Sequence, residues 1–84
     1  MSILHLVRHP NDERAFATIA AQAAETDVTV IYLQDAVYRE PIPGVRTFVC
    51  ARDWEARRPK TTCEQVDYDQ IVALMTQHDK VITW

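Results

Sequence analysis

The chain has 84 residues, 48% hydrophobic and 25% charged, with a net charge of -3 from 9 basic and 12 acidic side chains. That length gives one domain, residues 1–84, with a thin core: a domain this size buries only about 60–65% of the surface its unfolded chain exposes, so a partner subunit would stabilise it. The acidic balance excludes a protein that grips a nucleic-acid backbone by itself, which needs clustered Lys and Arg.

The single glycine, Gly44, excludes a P-loop and a dinucleotide-binding fingerprint, both of which use several glycines to bring backbone against phosphate. Neither a GxSxG elbow nor an HExxH helix occurs. No cofactor is expected. Met1 to Val7 is apolar, but it is short for a signal peptide and is stopped by Arg8, His9 and Pro10. No run approaches the roughly 20 apolar residues of a membrane span. The expectation is a cytoplasmic protein with Cys50 and Cys63 reduced. The two cysteines make no CxxC pair and lack a histidine at ligand spacing, so no metal site is expected.

In chain order, Ser2 to Arg8 reads as a strand buried on both faces. Asn11 or Asp12 caps a helix with an apolar stripe at Phe16, Ile19, Ala20 and Ala23. Val28 to Leu33 is a β-branched second strand. Gln34 to Arg39 makes a short helix or turn, and Pro41, Pro43 and Gly44 a loop. Val45 to Cys50 is a third strand and Arg52 to Arg58 a charged helix stopped by Pro59. Its cluster of Arg52, Arg57, Arg58 and Lys60, diluted by Asp53 and Glu55, reads as a solvated face. Cys63 to Val66 is a short fourth strand. Asp67 or Asp69 caps a second long helix with its stripe at Ile71, Leu74, Met75 and His78, and Val81 to Trp84 closes the chain as a strand. Strands alternating with helices predict a small α/β domain: a mostly parallel five-stranded sheet with about four flanking helices. Ligands of such sheets gather beyond the carboxyl ends of the strands, here Arg8–Asn11, Gln34–Tyr38, Cys50–Asp53 and Val66–Asp69.

Several residues could carry chemistry at that edge. Cys50 closes the third strand, where Arg52 or the following helix could stabilise a thiolate able to accept sulfur as a persulfide; alternatively it is a buried small hydrophobe. Cys63, after Pro59 and two threonines, is expected to be the more exposed thiol, either reactive or incidental. His5 sits mid-strand, where a satisfied core role competes with catalysis. His9 is the more accessible candidate for acid–base work. His78 suits a helix C-terminus. Asp35 either caps the short helix or faces a partner. Asp67 and Asp69 bracket Tyr68 and serve either as paired carboxylates or as helix caps. Tyr38, Tyr68, Trp54 and Trp84 form an aromatic set suited to an interface or to a small core.

Several segments resemble the DsrH/TusB family. Gln34-Asp35-Ala36-Val37-Tyr38 looks like its QDGVY-type motif, with Ala36 in place of Gly. Ala51-Arg52-Asp53-Trp54-Glu55-Ala56-Arg57 looks like its L-R-E-D-V-E-A-R-G segment. Val66-Asp67-Tyr68-Asp69 with Ile71 to Leu74 and Gln77-His78 resembles its VDYDGFVEL…KH helix, and Trp84 its closing tryptophan. Leu4-His5 and Pro10 are similar to its LHTLSKSP opening. The resemblance covers most of the chain and is strongest from Leu33 to Trp84.

The resemblance implies a DsrE/F/H-type α/β fold and a hetero-oligomer with DsrE-like and DsrF-like subunits that passes persulfide sulfur. One branch serves 2-thiolation of the tRNA wobble uridine, and the other serves dissimilatory sulfur oxidation. Many relatives carry a cysteine near the start of the first helix, where this chain reads Asn11 to Phe16 with none. That departure points to an accessory subunit, with Asp35, Tyr38, Asp67, Tyr68, Asp69 and Trp84 facing partners and no direct contact with tRNA. A sulfurtransferase acting in its own right through Cys50 or Cys63 is the alternative.

Overall fold

A computed structural model describes residues 1–84. Five strands, β1 (Ser2–Val7), β2 (Asp27–Tyr32), β3 (Arg46–Cys50), β4 (Glu64–Val66) and β5 (Lys80–Thr83), form one sheet in the order β4-β3-β2-β1-β5. Every pairing is parallel. Three α-helices, α1 (Glu13–Ala23), α2 (Ala51–Arg57) and α3 (Tyr68–Gln77), and a 3-10 turn at Gln34–Tyr38 join them. This is the expected small α/β domain, with element boundaries shifted by a residue or two. No helix is long and apolar enough to cross a membrane.

The two central strands are continuous apolar runs because both of their faces are covered. Successive side chains point to opposite faces. Val7, Val28, Val30, Tyr32 and Val49 therefore join Ile19 of α1 in one core cluster. Leu4, Leu6, Ile31, Cys50 and Val66 join Ile71 and Leu74 of α3 in the other. Tyr32 is fully buried and donates its hydroxyl to the Glu40 carbonyl at 2.9 Å.

The helix stripes differ from expectation in register. Asp12, not Asn11, is the α1 cap, accepting from the Ala15 N–H at 3.1 Å. The buried face then runs through Ala15 and Ile19, Phe16 and Ala23 pack half-buried at its margin, and Ala20 is exposed. In α3, Ile71 and Leu74 are buried, while Met75 is 40% exposed. His78 has left the helix as its C-cap.

The connections step from β1 to β2, β3 and β4, after which α3 returns the chain to β5 on the other side of β1. The direction of winding thus reverses between β1 and β5. Trp84, just past β5, sits at that switch point.

Candidate functional site: the carboxyl edge of the sheet

The four loops expected to gather at the carboxyl edge do so. Gln34 follows β2 with φ of +50°, a left-handed conformation that a residue with a Cβ adopts only when its surroundings hold it. Its holder is Asp53 on α2, whose Oδ2 accepts the Gln34 N–H at 2.9 Å. Arg57, one turn further along α2, reaches Asp53 at 3.7 Å and donates from Nε to Asp35 Oδ1 at 2.9 Å. The 3-10 turn is thereby fastened to α2. Ala36 and Val37 are fully buried beneath it, while Tyr38 is 54% exposed. Arg58 pairs with Glu55, leaving Arg52 and Lys60 as the members of the basic cluster without an intramolecular ion pair.

Beside this clasp, a cleft of about 340 Å³ opens between the carboxyl ends of β1, β2 and β3 and the start of α3. Leu6, Leu33, Cys50 and Ile71 line its apolar part, and Arg52, Tyr68 and Met75 also border it. Cys50 is 7% exposed, and the cleft reaches its side chain. Cys63, expected to be the more exposed thiol, is 9% exposed, so both cysteines are buried to nearly the same degree. Cys63 is buried in the cluster on the α1 face, and burial pushes its thiol pKa up. The reason is local: Thr61 Oγ1 accepts the Cys63 N–H at 3.1 Å, at the entry to β4. The two cysteines therefore belong to cores on opposite faces of the sheet, and both are free thiols.

The Asp67–Asp69 pair divides between two roles. Asp67 forms a capping box with Gln70, its Oδ1 accepting the Gln70 N–H at 2.8 Å while its own N–H donates to Gln70 Oε1 at 2.8 Å. Asp69 is exposed in the first turn. Tyr68, Val72 and Met75 recur at i, i+4 and i+7 and are 67%, 54% and 40% exposed, so α3 carries an apolar stripe turned away from the sheet.

The histidines separate by environment. His9 is exposed. The His78 Nδ1–H donates to the Leu74 carbonyl at 2.6 Å, and Nε2 meets Thr29 Oγ1 at 3.1 Å, so its role is to close α3. His5 is fully buried. The Trp84 indole N–H donates to His5 Nδ1 at 2.9 Å, and His5 Nε2 lies 2.6 Å from Gln22 Oε1. Burial holds the pKa of His5 below its ordinary value. No three His, Cys, Asp or Glu side chains stand together in a way that could hold a metal ion.

The chain matches no protein-family model and no curated protein.

The exposed stripe of α3 is the surface feature that periodicity obscured. Ile71, Leu74 and Met75 satisfy one apolar face on paper, but Tyr68, Val72 and Met75 satisfy a second equally well. The surplus of apolar residues over what one helix face can bury was the available signal. The His5–Trp84 contact spans 79 positions, and nothing local announces it.

Proposed function

We propose that the chain is an accessory subunit of a cytoplasmic sulfur-relay complex, assembled with DsrE-like and DsrF-like partners and serving 2-thiolation of the tRNA wobble uridine. The observation that carries the reading is the apolar stripe Tyr68, Val72 and Met75 beside an incompletely covered sheet face. Five strands about 4.8 Å apart span roughly 19 Å, and a helix is about 10–12 Å across. One helix, α3, contributes to the core on that face, and Leu33, Phe48 and Val81 stay only partly buried there. All-parallel sheets have both faces covered, so a partner element packed beside α3 completes the layer.

The resemblance supports the identity of the partners. Its motif segments meet in space: the Gln34–Tyr38 turn and the Ala51–Arg57 helix are joined through Asp35, Asp53 and Arg57. The test is native mass spectrometry of the complex purified from its own cell. Masses of DsrE-like and DsrF-like chains with this subunit are expected; a lone monomer or a homo-oligomer overturns the reading.

A second reading is favoured by the cleft at Cys50. There the Cys50 thiolate would attack the outer sulfur of a donor persulfide, forming a new S–S bond and releasing the donor thiolate, with no external oxidant. Sulfur transfer unchanged in Cys50→Ser removes this reading and leaves the first intact.

A further inference from the structure

We propose that His5, Gln22 and Trp84 form an acid-opened latch that holds the edge strand β5 closed against β1. The argument rests on hydrogen-bond directions. An indole N–H only donates. His5 Nδ1 must therefore accept from Trp84 at 2.9 Å, which leaves Nε2–H to donate to Gln22 Oε1 at 2.6 Å. Both bonds require a neutral ring in one tautomer. Adding a proton makes both ring nitrogens donors. Gln22 can still accept, but Trp84 then faces its N–H toward another N–H, and turning the ring over changes nothing. Trp84 is the one member of the group that cannot adapt, so the indole must leave.

The Gln22 bond is the one contact that favours the imidazolium, and burial outweighs it. α1 presents Gln22 to the ring, while its ionisable residues Glu13 and Arg14 are exposed. From β2, Tyr32 lies on this face with its hydroxyl committed to the Glu40 carbonyl. From β5, the strand alternation places Lys80 on this side, and Arg8 donates to the Trp84 carbonyl at 2.6 Å. Neither is an anion that could pair with the imidazolium, and burial of His5 disfavours its charge.

Only one end of β5 can open this way. At the other, Asp79 Oδ2 accepts the Ser2 N–H at 2.9 Å, and Ser2 Oγ accepts the Asp79 N–H at 3.1 Å. The strand has four residues and no neighbour beyond it. Loss of the indole contact frays it from Thr83 backward and uncovers the edge of β1 at Leu6.

The experiment is a pH titration of the full chain from 7.5 to 5, followed by NMR of the two indole N–H groups and the His5 ring. The expected result is a one-proton transition shared by His5 and the Trp84 indole, which moves to the exposed position, while Trp54 and the dispersed amides of β1 to β4 stay in place. In Trp84→Phe, which lacks the N–H, the His5 midpoint rises toward its ordinary value. A Trp84 indole that holds its position while His5 titrates overturns the latch. So does a His5 that stays neutral until the whole fold is lost, or a His5 midpoint unmoved in Trp84→Phe.

Discussion

Arg57 Nε donates to Asp35 Oδ1 across 2.9 Å, and the same guanidinium reaches Asp53, which accepts the backbone N–H of Gln34. The two bonds differ in worth. The Arg57–Asp35 pair is open to water, with Asp35 64% exposed, and such pairs contribute about 0–1 kcal/mol. The Asp53 bond satisfies a main-chain donor in a left-handed residue, and hydrogen bonds to a charged group contribute about 1.5–3 kcal/mol when buried, less at a half-exposed site such as this. Asp53→Ala should therefore destabilise the fold by about 1–2 kcal/mol, and Arg57→Ala by less than about 1 kcal/mol. Urea unfolding of the two variants checks the ranking, and equal losses would refute it.

The capping box at Asp67 is expected to act on stability alone. Removing such a cap costs about 1 kcal/mol, which lowers the melting temperature of a domain this size by about 4–8 °C. Asp67→Ala should show that loss, while Asp69→Ala should melt close to the wild type. If Asp69 is the costlier position, the assignment of the cap is wrong.

Stability should fall on both sides of neutrality, for opposite reasons. The folded chain holds His5 below its ordinary value of 6.5. The unfolded chain then binds more protons, so the contribution of His5 is complete above pH 6.5 and is lost as the pH falls below it. Burial pushes Tyr32 from 10.0 up to about 12. Here the folded chain holds the proton more tightly, so that contribution is complete below pH 10 and is lost as the pH rises toward 12. Thermal melts from pH 4.5 to 11 should give a plateau bounded by these two declines. A His5→Gln variant that keeps the same acid slope would exclude His5 as its cause.

Val72→Glu places a charge in the middle of the exposed α3 stripe. Because Val72 is 54% exposed, the isolated chain should lose less than about 0.5 kcal/mol. The association with relay partners proposed above should be abolished, as measured by native mass spectrometry. Association that survives the substitution would move the interface elsewhere.

The two thiols should differ in how they react. Both thiols are buried, but Cys50 lines the cleft and Cys63 lines none, so a small uncharged alkylating reagent is expected to reach Cys50 more readily. Peptide mapping after a time course of alkylation should show Cys50 modified first. Simultaneous labelling would mean that both wait for the same unfolding event.

Much of this architecture was legible because a buried parallel sheet writes itself as apolar runs. Ser2 to Val7 and Asp27 to Tyr32 need no context to be recognised, and Asp12 and Asp67 announce their helices by cap chemistry. The carboxyl-edge loops followed from strand direction alone. What could not be read was the rotation of each helix about its axis. Met75 and Ala20 are apolar at helical spacing yet face outward, because only tertiary packing selects among overlapping stripes. The burial of Cys63 was equally hidden. Two threonines and a proline suggest a surface segment, but the segment returns its cysteine to the core as it enters β4.

The strand order has a consequence in time. β1 is the first strand to be synthesised, yet it lies between β2 and β5, and its register with β5 pairs Ile3 with Lys80 and Leu6 with Thr83. Its neighbour on one side can join as soon as Asp27 to Tyr32 emerges; the other follows only after β3, β4 and α3. Until Lys80 to Thr83 emerges, β1 therefore presents an open edge that only β5 closes. Premature termination anywhere before Lys80 would leave that edge bare, with its backbone donors and acceptors free to pair with another nascent chain.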